Sequence, residues 1–173
     1  ACIDAVRMAR KENIRPVLGI DFRNGVQQQY VGIALNNEGF KELNEHLSFH
    51  LHSNEPFDAV APVFGNAYVV YPLSVYKGWQ LRENEFIGVS IKDIQKLERF
   101  SYPDKTAKLV ALHEVSFAGK KQYNAHRLLR AIDTNNLLSK LPLSEQASGD
   151  EMMMPSHAMY AAYSRYPHVI YNT

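Results

Sequence analysis

Cysteine is almost missing from this chain of 173 residues: Cys2 is the only one, so no internal disulfide can form and no paired-thiolate metal site is available. Long apolar runs are missing too, and without about 18 consecutive apolar residues the sequence offers no membrane-spanning helix. Neither sign of charge dominates. Nineteen Lys and Arg stand against 18 Asp and Glu, a formal charge of +1, so the sequence predicts weak and local contact with duplex DNA rather than a broad basic field. There is no glycine-rich phosphate loop, no nucleophile elbow, no internal repeat and no low-complexity segment. The start reads "ACIDAVRMARKEN", a charged helix with neither an initiator methionine nor the apolar core of a secretory leader. Those features predict a cytoplasmic protein and a chain cut into at its beginning.

What is present suffices for a core. With 46% hydrophobic and 21% charged residues, the composition fits one ordinary domain spanning 1–173, with no second domain. Ile3, Val6 and Ala9 follow helical spacing, and "NIRPVLGIDF" then reads as a strand with Pro16 at its start. Asn24-Gly25 is a turn signal and "QQYVGIAL" a second strand, together a hairpin. Asn36 is placed to cap a helix, "NNEGFKELNEHLSFHL", with Phe40, Leu43, Leu47 and Leu51 on one face. "AYVVYPL", "EFIGVS" and "KLVALHEVSF" read as further strands. Ser90 with Asp93 resembles a capping box opening a short helix through Leu97. A helix is expected from about Lys120 to Ile132, and a last one, "SHAMYAAYSRY", starts at Pro155-Ser156 and ends at Pro167. Strands alternating with helices imply an α/β fold with a largely parallel sheet and one local hairpin.

Chemistry is sparse. His46 and His50 are one helical turn apart with His52 nearby, a spacing that lets imidazoles share a metal. No Glu stands in the helical metalloprotease arrangement, so they read as solvated histidines at the negative end of a helix dipole. Met152, Met153 and Met154 read as an edge strand or loop filling gaps rather than a soft-metal site. The strand "KLVALHEVSF" is the exception, because it finishes on His113, Glu114 and Ser116. In α/β enzymes the carboxyl end of a parallel strand is where ligands and catalytic groups gather.

Taken in order, several segments resemble one family. "AVRMARKENIRPVLGIDF" is similar to the helix-strand unit of the PHP (polymerase and histidinol phosphatase) domain at the N-terminus of the bacterial DNA polymerase III alpha subunit. "IALNNEGFKELNEHLS" resembles its "LLAKNEEGYKNL" segment, "AHRLLRAIDT" its "AHDxLLxIxT" helix, and "SGDEMMMPSHAMYAAYSRYPHVIYNT" its "DEFYLKSxEEM" to "DYPEAxxNT" stretch. The likeness covers nearly the whole chain and is weakest from 55 to 104.

The resemblance implies an incomplete, distorted (β/α)7 barrel, similar to a TIM barrel, of mostly parallel strands with a local hairpin. It lacks the first family motifs, so the strand edge left unpaired predicts self-association. It also implies four mappable metal positions. Asp21 stands where the family has a ligating Glu, and Gln29 where it has a His. "LVALHEVSF" stands where the family reads "VATNDVHYL", which puts Glu114 and Ser116 in place of a ligating Asp and His. Two carboxylates kept and two imidazoles lost leave Asp21 and Glu114 as vestigial candidates, with no tightly bound cofactor and at most weakly held magnesium. The implied function is the N-terminal PHP region of a DNA-directed DNA polymerase, a structural domain that is itself inactive, in contact with the other domains of that subunit and with replisome proteins. DNA is then bound by the intact protein and only weakly by this chain. The alternatives are a metal-dependent PHP phosphoesterase or 3'-5' exonuclease, or a pure interaction module.

Overall fold

The computed structural model describes residues 2–98 and 103–173. Its centre is a five-stranded sheet whose spatial order follows the sequence: β1 (Gly19–Asn24), β2 (Gln27–Ala34), β3 (Ala67–Pro72), β4 (Glu85–Val89) and β5 (Leu109–Ala111). β1–β2 and β2–β3 are antiparallel, whereas β3–β4 and β4–β5 are parallel. Helix α1 (Cys2–Lys11) precedes the sheet and α2 (Asn37–Ser53) connects β2 to β3. Then come α3 (Ile94–Leu97), α4 (Lys120–Asp133), α5 (Ser156–Ala162) and α6 (Pro167–Tyr171).

Local chemistry explains the hairpin and the first connection. Asn24 pairs with Gln27, so the two turn residues are Gly25 and Val26, one step later than the Asn-Gly signal suggests. Gly25 takes φ 61°, which is open to glycine at no steric cost and matches the twist of a tight hairpin. Asn36 caps α2 as expected: its backbone is extended and its Oδ1 accepts from the Gly39 amide at 2.9 Å. The buried stripe of α2 is Gly39 and Leu43, continued by the partly buried His46, Leu47 and His50, while Leu51 is 72% exposed. The core lies between α2 and one sheet face, where Phe22, Tyr30, Leu43, Phe64, Val69, Tyr71 and Ile87 are buried together.

The expected barrel does not form. The sheet is open, and two of its four pairings are antiparallel, so it is not mostly parallel. The hairpin fixes the first reversal, and α2 returns the chain antiparallel to β2. The connection from β3 to β4 carries no helix. Closure would need a strand on the outer edge of β5, but that edge is occupied. The Ala111 amide donates to Thr173 Oγ1 at 2.9 Å, and Asn172 Nδ2 donates to the Thr106 and Leu109 carbonyls at 2.8 and 2.9 Å. Side chains at the end of α6 thus blunt an edge that a barrel would pair.

Three smaller expectations change. Ser90 opens a 3-10 turn, Ile91–Asp93, before α3, and its hydroxyl donates to Asp93 Oδ2 at 2.7 Å rather than capping a backbone amide. Pro167 begins α6 instead of merely ending α5, in agreement with the preference of proline for the first helical position. The strand expected over "KLVALHEVSF" is regular only at Leu109–Ala111, so His113, Glu114 and Ser116 lie on an irregular tail.

Candidate functional site

The tail that leaves β5 meets the strand at the opposite edge of the sheet. In a flat sheet β1 and β5 would be about 19 Å apart at the usual strand spacing, yet Arg23 Nη2 lies 2.6 Å from Glu114 Oε1. Twist and the returning tail remove the gap. Gly88 contributes, since a Cβ there would come within 2.7 Å of the Leu112 side chain and 2.8 Å of Val70, and its absence lets Leu112 settle on the sheet.

Strand alternation puts Asp21 and Arg23 on the same face of β1, and Arg23 Nε donates to Asp21 Oδ2 at 2.7 Å. Opposite them the register slips. Phe22 pairs with Tyr30 but Arg23 pairs with Gln28, which leaves Gln29 as the extra residue of a β-bulge. The bulge turns Gln28 onto the face of Asp21, where its Nε2 donates to Asp21 Oδ1 at 3.0 Å. Gln29 itself is buried, its amide donating to the Gln27 carbonyl at 3.3 Å. Ser116 donates to Glu151 Oε2 at 2.5 Å, and Glu151 Oε1 accepts from the Ser148 amide at 2.7 Å. His113 Nε2 lies 2.9 Å from the Met152 carbonyl. The tail is also tied to the methionine run by a parallel bridge between Phe117 and Met152.

Two hollows flank this cluster. One, of about 630 Å3, lies at the carboxyl ends of β3, β4 and β5, and is lined by Gln28, Ser90, Lys92, His113, Glu114 and Met152 among others. The second, of about 700 Å3, is lined by Asp21, Arg23, Glu114, Ser116, His126 and Arg130 among others. Glu114 belongs to both and forms part of the wall between them.

The structure brings the two candidate ligands together but through a cation of the chain's own. Three of the four carboxylate oxygens of Asp21 and Glu114 already accept hydrogen bonds, and a guanidinium stands between the two groups. Burial works against the charge on Arg23, yet hydrogen bonding and Coulomb attraction from Asp21 and Glu114 raise its pKa above the ordinary value. A divalent ion would have to displace those donors and approach a fixed positive charge, so these residues do not fit one. Gln29 and Ser116 are committed elsewhere, and among the described residues no group of three or more His, Cys, Asp and Glu is placed to hold a metal.

Arg23 is the residue that sequence reasoning missed. The Asp-x-Arg alternation on a strand was a usable signal for the first contact; the second joins residues 91 positions apart. The histidines of α2 also sit differently from the expectation. His46 Nε2 lies 2.7 Å from the Tyr30 hydroxyl, its ring packs against Phe22, Phe57 and Phe64, and His50 Nδ1 lies 3.0 Å from the Glu55 carbonyl. Only His52 is an exposed helix-end histidine. Burial, then the neighbouring His50, hold the pKa of His46 below its ordinary value, with Asp58 opposing.

No helix among the described residues is long and apolar enough to cross a membrane. Compared with known proteins, the chain matches no family model, no curated protein and no solved structure.

Proposed function

We propose that the chain is the N-terminal PHP region of a bacterial replicative DNA polymerase III alpha subunit and serves there as a structural support, inactive by itself. The proposal concerns that sequence lineage and not the closed barrel, which this chain does not form. The observation that carries the support role is the guanidinium of Arg23 between Asp21 and Glu114. A phosphodiester hydrolase of this family would activate water on metal ions held by such carboxylates, and here one oxygen of each is engaged by the Arg23 guanidinium. The resemblance of the closing "YPHVIYNT" supports the polymerase lineage over a free-standing phosphoesterase.

A support domain also needs a surface for its neighbours. Leu128, Leu129 and Ile132 form an apolar stripe on α4 at helical spacing, between 52% and 67% exposed. The opposite side of α4 is engaged, with Arg130 Nε donating to the Glu145 carbonyl at 2.7 Å and the Ala147 amide donating to His126 Nε2 at 3.0 Å. On this reading the other domains of the subunit and replisome proteins are the partners, the location is the cytoplasm, and DNA is bound by the intact protein.

Two measurements test the proposal. Elemental analysis of the purified, dialysed chain should return no stoichiometric zinc or manganese, and the chain with added manganese should not hydrolyse a phosphodiester ester substrate. Stoichiometric transition metal or metal-dependent hydrolysis would refute the support reading. For the lineage, the coding sequence should continue past Thr173 into a polymerase palm, and a stop codon there would overturn the assignment.

A further inference from the structure

Helix α4 carries charge against its own dipole. Lys120 and Lys121 stand in its first turn, where there is no acidic residue, and Gly119 at the N-cap brings no side chain to the free amides. Asp133 closes the helix at the end where the last carbonyls already gather negative charge. Arg130 meets part of that charge, 2.6 Å from Asp133 Oδ2, but Lys120 and Lys121 are exposed and make no ion pair among the described residues. Between these ends lies the apolar stripe. Leu128, Leu129 and Ile132 share the exposed face with Ala125, and Lys121 lies one turn before Ala125 on the same face.

Such a face is complementary to itself. Two copies of α4 laid antiparallel about a two-fold axis between Leu128 and Leu129 set Leu128 against Leu129 of the second copy and Ala125 against its Ile132. The same register puts Lys121 three residues, about 4.5 Å along the axis, from the level of Asp133 in the second copy, within reach of a lysine stem. The basic start of each helix then lies beside the acidic end of the other, so both misplaced charges are offset together.

We infer that α4 is a self-association surface whose occupant is a second copy of this chain, seated antiparallel along Leu128, Leu129 and Ile132 with Lys121 facing Asp133 across the two-fold. Self-association then belongs to a helix face and not to the strand edge that the sequence suggested. A neighbouring domain seated on the same stripe would exclude the second copy, so the pairing is a property of the chain on its own. The inference stands on α4 alone, and failure of the polymerase lineage leaves it standing. Three large apolar side chains per copy make a small interface, below roughly 1,200 Å2 in total, and place the dissociation constant on the order of 10–100 μM.

Sedimentation equilibrium of the whole chain, with Cys2 kept reduced, tests this over about 1–500 μM, a range that brackets the constant. The mass should rise from 19.7 kDa toward twice that value. Leu129→Glu should weaken association at least about tenfold, since it strips water from a charge in the apolar centre. If circular dichroism shows that variant unfolded, Ile132→Gln is read in its place. Lys121→Glu and Asp133→Lys should each weaken association about three- to tenfold, because a symmetric dimer loses the pair twice. The double variant Lys121→Glu, Asp133→Lys restores opposite charges across the two-fold and should return to within about threefold of the unaltered chain. A chain that stays monomeric to the top of the range overturns the inference. Undiminished association of Leu129→Glu overturns it as well, and so does a double variant that associates no more tightly than either single one.

Discussion

Substituting Glu85 by alanine should be among the most damaging single changes in the molecule. Glu85 opens β4 and is 1% exposed, a carboxylate inside the core. Its Oε1 accepts from the Tyr71 hydroxyl at 2.8 Å and from Arg82 Nη1 at 2.9 Å, and its Oε2 accepts from the Arg82 amide at 2.7 Å. Tyr71 in turn accepts from the Ala61 amide at 3.0 Å, and Arg82 Nη1 also donates to the Ala61 carbonyl at 3.0 Å. The carboxylate therefore ties β3, β4 and the 61–62 segment into one network. Burial of the phenol, then its hydrogen bond to Glu85 and the charge of that carboxylate, push the pKa of Tyr71 above its ordinary value, with the Ala61 amide and Arg82 opposing.

Removing one partner of a buried charge pair costs about 3–5 kcal/mol. The Arg82 side chain is 39% exposed and can be rehydrated, which lowers the figure to roughly 2–4 kcal/mol. The residue of the cost falls on the Tyr71 hydroxyl, left without its acceptor. At about 2–4 °C per kcal/mol for a chain of this length, the unfolding midpoint should drop by about 5–15 °C. Urea unfolding supplies the free energy, and Glu83→Ala is the control, since Glu83 is exposed and, among the described residues, its contact is through the backbone carbonyl, which accepts from Lys108. That control should stay within about 0.5 kcal/mol of the unaltered chain. Because Tyr71 and Glu85 share a bond, Tyr71→Phe and Glu85→Ala should combine to less than the sum of their separate effects. A Glu85→Ala protein as stable as Glu83→Ala would refute the reasoning, because the buried carboxylate would then be contributing nothing.

Stability should fall in mild acid through His46. Its folded pKa lies below the ordinary 6.5, so below that pH the unfolded chain takes up the proton first; stability is full above pH 6.5 and declines as pH falls toward the folded value. Urea midpoints at pH 7.5 and 5.5 should show a drop that His46→Gln reduces, and an equal drop in both proteins would sink the assignment. Gly39→Ala should destabilise the start of α2 by about 1–3 kcal/mol or more, since a Cβ there would lie 1.8 Å from the Asn66 carbonyl oxygen, a backbone atom with little room to yield. Circular dichroism melting reads this, and an unchanged midpoint would contradict the packing of α2 on that carbonyl. Duplex DNA should bind weakly at physiological salt, given the formal charge of +1, and a tight complex indifferent to added salt would overturn that expectation.

What the sequence determined by itself was local. The Asn36 cap, the hairpin around Gly25, the helix from Lys120 and the apolar strands all rest on residues within a few positions of one another, where side-chain chemistry acts on its own backbone. Even there the hairpin slipped by one residue, and the helix stripe turned so that His46 and His50, not Leu51, face the aromatic core. Hydrophobic spacing alone could not foresee that, because an imidazole bonded to a buried hydroxyl packs as well as a leucine. The candidate ligands Asp21 and Glu114 were legible as residues but not as an ion pair. Only the tertiary structure decided that they meet through Arg23, that a bulge brings Gln28 to them, and that Asn172 and Thr173 occupy the edge of β5 and leave the sheet open. Such contacts join residues tens of positions apart, and their formation depends on the twist and register of the whole sheet, quantities that no local pattern encodes.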